Sequence, residues 1–171
     1  MWSGPCTGCV VEPDLRALLL ELADSGVDFV VVGGIAAVLQ GVPMATFDLD
    51  IVHSRTPENV RNLLQLLERL DACSRLRPQS EKLRPGADAL GGSGHQLLST
   101  RLGPLDLLGT VEGGLGFDDL VPLSEPFVVE GRNIRVLSLQ ALADLKTNAT
   151  HPKDRFSRLM ILETLRLKDD G

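Results

Sequence analysis

Residues 27–53 read VDFVVVGGIAAVLQGVPMATFDLDIVH. The apolar, β-branched run from Val27 to Val32 is typical of a buried strand. The pair Gly33-Gly34 ends this run, and a short helix from Ile35 to Gln40 is predicted to follow it. The stretch therefore predicts a strand, a glycine turn and a short helix, and it ends in a second strand.

The second predicted strand, Thr46 to His53, carries two acids at alternate positions. Because side chains alternate between the faces of a strand, Asp48 and Asp50 should point to one face and their apolar neighbours to the other. An exposed edge strand is the alternative interpretation, but the apolar surroundings favour a buried strand. The pattern predicts a pair of carboxylates on a rigid element.

Two carboxylates beside a glycine turn are typical of a site for a metal-bound nucleotide. Magnesium prefers oxygen ligands, usually one or two carboxylates together with phosphate oxygens and water. Gly33 and Gly34 would let the backbone approach phosphate, and the start of the following helix favours an anion. The predicted site therefore combines one or two Mg²⁺ ions with a nucleoside triphosphate (NTP) as substrate.

Asp106 is the best candidate for a third carboxylate. It lies in the apolar run Leu105-Asp106-Leu107-Leu108, where an unpaired charge is costly. A neighbouring strand would bring it beside Asp48 and Asp50. The alternative is an ion pair with a nearby arginine such as Arg101.

The remaining chain divides into helices and hairpins around this stretch. A helix is predicted over 13–24, and another begins at Pro57 with Thr56 as its cap. Two hairpins and two closing helices follow; the predicted hairpin strands are 95–102 with 105–111 and 127–129 with 134–137, and the helices are 138–148 and 152–168. We expect a loose segment over 1–12, an α/β core over 13–137, and a helical part of the same domain over 138–171.

Composition limits the classes of function. The chain has 171 residues, a net charge of −6 and a pI of about 5.0, which disfavours general nucleic-acid binding. No apolar run is long enough to span a membrane, and we expect a cytoplasmic protein. Cys6 and Cys9 form a single CxxC; free thiols are a better interpretation than a zinc site, which commonly needs a second such pair.

Three segments together resemble the nucleotidyltransferase superfamily, in particular its minimal bacterial members and the AbiEii-type toxins. They are VVVGGIAAVLQGVPMATFDLDIV at 30–52, LDLLGTVEGGLGFDDL at 105–120 and IRVLSLQALADLKTNATHPKDR at 134–155. The resemblance implies an α/β (α+β) nucleotidyltransferase-like fold: a short mixed β-sheet flanked by helices, with C-terminal helices. It also implies transfer of a nucleoside monophosphate from an NTP to an acceptor.

The resemblance assigns roles to individual residues. Asp48 and Asp50 would bind magnesium, and Asp106 would be a further metal ligand or the base for the acceptor. Gly33 and Gly34 would hold phosphate, while Lys146 or Lys153 would neutralise its charge. An RNA, a protein or a small molecule would be the acceptor, and an antitoxin is an implied partner.

The sequence also departs from this family at several positions. Many relatives have an arginine where this chain has Met44, and a polar residue where it has Phe47. Many also carry an acid near Ser157 and Arg158. These departures keep open a second hypothesis, a catalytically degenerate module that binds a nucleotide or a protein partner.

Overall fold

The described part of the chain forms a seven-stranded mixed sheet with seven α-helices. The structure is a computed structural model, and it describes residues 12–78 and 81–170. The strands are β1 (Phe29–Val32), β2 (Leu49–His53), β3 (Cys73–Ser74), β4 (His95–Thr100), β5 (Gly103–Leu108), β6 (Ser124–Val129) and β7 (Arg132–Leu137). The helices are α1 (Leu15–Ala23), α2 (Gly33–Leu39), α3 (Pro57–Arg69), α4 (Ala87–Gly91), α5 (Phe117–Leu120), α6 (Leu139–Leu145) and α7 (Pro152–Asp169).

The two strands of the opening stretch lie inside the sheet. The strand order is β3-β4-β5-β2-β1-β7-β6, so that β2 and β1 have neighbours on both sides. They pair with each other in antiparallel fashion, while β2 runs parallel to β5 and β1 runs parallel to β7. The position of β2 excludes the edge-strand interpretation of its acids.

Local sequence explains where the main helices begin. Thr56 accepts a hydrogen bond from the backbone N–H of Asn59, and Pro57 occupies the first turn of α3. Ser138 caps α6 in the same way through the N–H of Ala141. These signals are short-range, and the predicted starts of both helices are confirmed.

Burial of aliphatic side chains on both sides of the sheet forms the core. All four residues of β1 are buried, and three leucines of α3 and three of α1 are completely buried or nearly so. Helix α1 packs on β2, β5 and β7, whereas α2 packs on β1, β2 and α6. Fully burying an aliphatic side chain contributes about 1.5–3 kcal/mol, so this core holds the central strands rigidly.

Several element boundaries differ from the sequence prediction. Gly33 and Gly34 are the first residues of α2 instead of a turn before it, and β2 begins at Leu49 instead of Thr46. Asp48 therefore lies in the loop before the strand. The short elements β3 and α4 fall between 71 and 94, where no periodicity predicts them.

The predicted fold class, a mixed α/β sheet with C-terminal helices, is confirmed. The division at 137 stays a prediction, and Cys6 and Cys9 lie outside the described residues. Within the described ranges, no helix combines the length and the apolar character that crossing a membrane requires.

Candidate functional site

Two acids face each other across the central strands. In the parallel pair of β2 and β5, Asp50 is the direct partner of Asp106. On its other side, Asp50 pairs with Val32, the last residue of β1. Because the sheet ladder fixes this register, the two carboxylates are held beside each other by the backbone itself.

Asp48 completes an acidic cluster from the loop before β2. One carboxylate oxygen from each of Asp48, Asp50 and Asp106 lies within 4.8 Å of the others. The hydroxyl of Thr46 donates hydrogen bonds to a carboxylate oxygen and to the backbone carbonyl of Asp48, each over 3.3 Å. The structure thus brings together all three predicted acids.

The cluster is electrostatically unfavourable without a cation. Burial, helped by the charges of Asp48 and Asp106, raises the pKa of Asp50 to about 7. Burial also raises the pKa of Asp106, although the Arg75 guanidinium opposes this rise. A group of carboxylates that resists ionisation gains most from a bound positive charge, which favours a ligand at this place.

The glycine pair makes room for the site residues themselves. Gly33 has a φ of +65°, and a Cβ atom there would collide with the carboxylate of Asp50. A Cβ on Gly34 would lie 2.6 Å from the hydroxyl oxygen of Thr46. The two glycines therefore have a packing role, which is separate from any contact between their backbone and a phosphate group.

The predicted lysines lie beside the acids, at the junction of α6 and α7. The Lys146 ammonium is 2.5 Å from a carboxylate oxygen of Asp154, and this hydrogen bond lowers the pKa of Asp154. Lys146 also lies close enough to Asp50 to favour its ionised form. Lys153 is exposed and borders the same depression as Asp48 and Asp50.

Two cavities meet at Asp50. The smaller, of about 130 Å³, is lined by polar and small groups that include Gly33, Gly34, Thr46, Asp48 and the two lysines, together with Met44. The larger, of about 460 Å³, has an apolar wall with polar groups along the loop between α6 and α7; its lining includes Leu108, Val111, Leu142, Leu145, Asn148 and His151. Asp50 therefore lies between a small polar space and a larger, mainly apolar one.

The donor set fits a hard divalent cation. All the clustered ligands are carboxylate oxygens, which Mg²⁺ prefers over the nitrogen and sulfur ligands of zinc sites. The close approach of Gly33 to Asp50 leaves no side chain between the backbone and the cluster. Asp48, Asp50 and Asp106 could hold such an ion.

Three residues that are near the acids in the sequence lie in different surroundings. His53 is buried, and its Nε2 lies 2.9 Å from the carbonyl oxygen of Leu90, so it belongs to the packing beneath α4. Phe47, next to Asp48, is 73% exposed. Arg101 pairs with Glu21 and not with Asp106.

The partner of Asp106 is Arg75, which no sequence pattern marks. The guanidinium Nη2 of Arg75 donates a hydrogen bond of 2.7 Å to Asp106, and its side chain is only 29% exposed. Arg75 follows the two-residue strand β3. An apolar strand containing one acid signals a buried partner, but it does not reveal which cation reaches it.

Comparison with known proteins finds similarity at the level of structure. No protein-family model matches the chain, and no curated protein matches its sequence. Among solved structures, the lincosamide antibiotic adenylyltransferase LnuA, with lincomycin bound, aligns with a TM-score of 0.59 at 17% identity. That alignment covers 91% of this chain and 98% of LnuA.

Two further structures agree with this alignment. TM1012 from Thermotoga maritima, a candidate nucleotidyltransferase, has a TM-score of 0.52 at 21% identity, covering 91% of this chain and 90% of its own. The antibiotic-resistance factor ANT(2'')-Ia has a TM-score of 0.55 at 15% identity, covering 88% and 82%. With its mixed sheet and its acids on the two central parallel strands, the chain has the nucleotidyltransferase fold.

Proposed function

We propose that this protein is a magnesium-dependent nucleotidyltransferase that moves a nucleoside monophosphate from an NTP to a hydroxyl-bearing acceptor. The observation that supports this most directly is the convergence of Asp48, Asp50 and Asp106, with Asp50 in the lining of both cavities. Acids removed from water are costly without a ligand, and here the buried Asp106 lies together with the half-buried Asp48 and Asp50 on or beside central strands. Nucleotide chemistry explains why they are there.

The small cavity suits the phosphates of the NTP. Its wall combines the backbone of Gly33 and Gly34 with the ammonium groups of Lys146 and Lys153. Lysine acts on phosphate as a point charge and tolerates several geometries. Lys146 is already paired with Asp154, so a bound phosphate would replace the Asp154 carboxylate as the partner of the Lys146 ammonium.

The larger cavity suits an organic group, the nucleoside or the acceptor. Its apolar wall, including Leu142 and Leu145, could pack against a ring system, while Asn148 and His151 offer polar contacts at the rim. LnuA, which shares the fold, is an adenylyltransferase with a bound antibiotic. A small-molecule acceptor is therefore our first choice, and an RNA or protein acceptor, as in a toxin–antitoxin pair, is the alternative.

The protein's own residues would divide the work of the reaction. Bound Mg²⁺ would supply charge stabilisation for the transferring phosphoryl group. Asp48 and Asp50 would hold the ion, and Asp106 would ligate it or accept the proton of the attacking hydroxyl. Lys146 and Lys153 would balance the charge of the pyrophosphate group.

Transfer of label from each α-³²P-labelled NTP tests the proposal. The protein is incubated with Mg²⁺ and three acceptor pools: hydroxylated small molecules including lincosamides, total RNA, and protein. We expect one pool to become labelled, Asp50→Ala to lose nearly all transfer, and Lys146→Ala to lose less. No labelled product from any pool, together with no Mg²⁺-dependent NTP binding, would contradict the proposal.

A degenerate binding module is the second candidate, favoured by two positions beside the acids. Met44 lines the small cavity where many relatives carry an arginine, and Phe47 is an exposed aromatic residue next to Asp48. Such a module would bind an NTP with Mg²⁺ and transfer nothing. A gain of transfer in Met44→Arg would then indicate that a phosphate contact has been lost.

A further inference from the structure

Arg75 is anchored to the sheet at both of its ends. Its backbone N–H donates to the carbonyl oxygen of Leu97 over 2.8 Å, which extends the β3 pairing by one residue. At the other end, Nη1 donates to the carbonyl oxygen of Leu98 over 3.2 Å, and Nη2 donates to Asp106 over 2.7 Å. A guanidinium held by two acceptors differs from a loose surface ion pair, and its position is well defined.

The sheet register places this cation on the far side of the acidic cluster. Leu97 of β4 pairs with Asp106 of β5, and Asp106 pairs with Asp50 of β2. Asp106 is therefore flanked by a guanidinium on one side and by a carboxylate on the other. Its side chain is only 10% exposed, so solvent screens the Arg75 charge weakly.

The three acids consequently offer unequal attraction to a metal ion. Asp48 has a neutral hydroxyl, that of Thr46, as a hydrogen-bond partner, whereas Asp106 has a full positive charge at hydrogen-bond distance. A divalent cation that approaches Asp106 meets both the carboxylate and the guanidinium. Near Asp48 and Asp50, the repulsion by Arg75 is weaker because the distance is larger.

We propose that Arg75 is a positioning residue that makes cation binding at Asp106 depend on a bound nucleotide. In the nucleotide-free protein, one divalent cation binds at Asp48 and Asp50, while Arg75 keeps Asp106 paired. The negative charge of an NTP offsets the guanidinium and lets a second cation reach Asp106. This inference rests on the proposed function, since it assumes that the cluster binds Mg²⁺ with an NTP.

Counting bound Mn²⁺ by electron paramagnetic resonance tests this dependence without any turnover. Mn²⁺ replaces Mg²⁺ at carboxylate sites and can be followed as the free ion. The proteins compared are wild type, Arg75→Gln, Arg75→Lys and Arg132→Gln. Arg132, the first residue of β7, is a matched control. It forms a 2.7 Å ion pair with Asp24, away from the cluster.

We expect wild type to bind one Mn²⁺ tightly without nucleotide and two with a non-hydrolysable NTP analogue. Arg75→Gln should bind the second ion at least about tenfold more tightly in the absence of nucleotide, because one repelling charge is gone. Arg75→Lys, which keeps the charge, and Arg132→Gln should behave like wild type. If Arg75 had only a structural role, replacing it would loosen the site and weaken Mn²⁺ binding. That result is the opposite of the tighter binding expected for Arg75→Gln.

The outcomes separate this inference from the function on which it rests. If wild type binds Mn²⁺ and Arg75→Gln matches Arg132→Gln in number and affinity, the role of Arg75 is wrong and the proposed function stands. Weaker Mn²⁺ binding by Arg75→Gln would also overturn the role. If wild type binds no Mn²⁺, even with the NTP analogue, both proposals fail.

Discussion

Gly33 and Asp50 share one small volume where β1 meets α2. The backbone of Gly33 has a φ of +65°, which other residues adopt only with strain, and the Asp50 carboxylate lies against its Cα. A glycine at this position thus satisfies two separate requirements. The same observation explains why the glycine pair and the acidic pair occur together in the sequence.

Replacing Gly33 by alanine should destabilise the protein by about 2–4 kcal/mol, from backbone strain and from the collision with Asp50. Gly41→Ala is the matched control: its φ is also positive, at +92°, but a Cβ there would have nothing within 4 Å. It should cost about 1–2 kcal/mol. Urea unfolding measures both values.

A double mutant isolates the contact with Asp50. In an Asp50→Ala background, Gly33→Ala should cost less than in wild type, because the carboxylate is no longer in the way and only the Cβ of residue 50, at 3.1 Å, still crowds the new methyl group. Equal costs of Gly33→Ala in both backgrounds would show that backbone strain alone accounts for the effect.

Asp50 should also make stability depend on pH. Its pKa is raised to about 7 in the folded protein, well above the usual range for an aspartate. Between about pH 4 and 7 the folded state keeps a proton that the unfolded state releases, so the free energy of unfolding falls as the pH rises through this window.

Asp50→Asn removes this titration while keeping the shape of the side chain. Without divalent cations, its Tm should exceed that of wild type by an amount that grows between pH 4 and 7 and then levels off. Thermal unfolding followed by circular dichroism gives both curves. Parallel curves over this range would contradict a raised pKa at Asp50.

Residue patterns predict Asp106 but not its partner. A single acid in an apolar strand signals a buried charge, and this signal is local. Arg75 is 31 residues earlier in the chain and reaches Asp106 across β4. Because β3 has only two residues, no periodicity marks it, and without that strand the arginine cannot be placed.

At the scale of elements, strand β2 shows what the alternation of apolar and acidic residues predicts and what it does not. The pattern correctly predicts that Asp48 and Asp50 share a side with each other. It extends the strand three residues too far, since the chain before Leu49 has no ladder partner. Alternation describes side-chain direction, whereas a strand boundary is decided by neighbouring chains that the local sequence does not specify.

Asn59 anchors helix α3 to the central strands β1 and β2. Its amide oxygen accepts a 2.7 Å hydrogen bond from the N–H of Asp28, and its amide nitrogen donates to the carbonyl oxygens of Asp28 and Ser54. These bonds connect the first turn of α3 to the start of β1 and the end of β2. The side chain is buried, so water cannot replace them easily.

Asn59→Ala should therefore lower the free energy of unfolding by about 2–3 kcal/mol, because it leaves buried polar groups unpaired. Asn62→Ala is the matched control, since Asn62 is more exposed and makes one bond to the carbonyl oxygen of Gly26. Its cost should stay below about 1 kcal/mol. Chemical unfolding distinguishes the two, and equal costs would contradict the anchoring role of Asn59.

The whole molecule should be stabilised by its proposed ligand. A ligand that binds only the folded state raises the Tm, by an amount that grows with concentration. Mg²⁺ with the right NTP should therefore raise the Tm of wild type by several degrees at saturation. Asp48→Asn should abolish this rise, because Asp48 is one of the clustered acids.

The control is Asp24→Asn, which removes an acid on the far side of the molecule, where it pairs with Arg132. This variant should keep the full ligand-dependent rise. An equal rise in wild type and Asp48→Asn would remove Asp48 from the metal site. No rise with any NTP would count against nucleotide binding as a whole.

The overall fold could be predicted because its strongest signals are local. The apolar run before Gly33, the caps at Thr56 and Ser138 and the two hairpins each depend on a few adjacent residues. The strand order depends on long-range pairing, which neither periodicity nor the resemblance predicts. Solved structures at 15–21% identity share the fold, so many sequences satisfy the same arrangement of elements.

Asp48 lies outside the sheet ladder, whereas Asp50 and Asp106 are locked into it opposite each other. The sheet therefore fixes the positions of Asp50 and Asp106, whereas the position of Asp48 depends on the conformation of a loop. Sequence drift between Gly41 and Phe47 can move the first acid without disturbing the other two. In evolutionary terms, that loop is where a lineage could retune the chemistry of this scaffold, or abandon it, while inheriting the rest of the molecule unchanged.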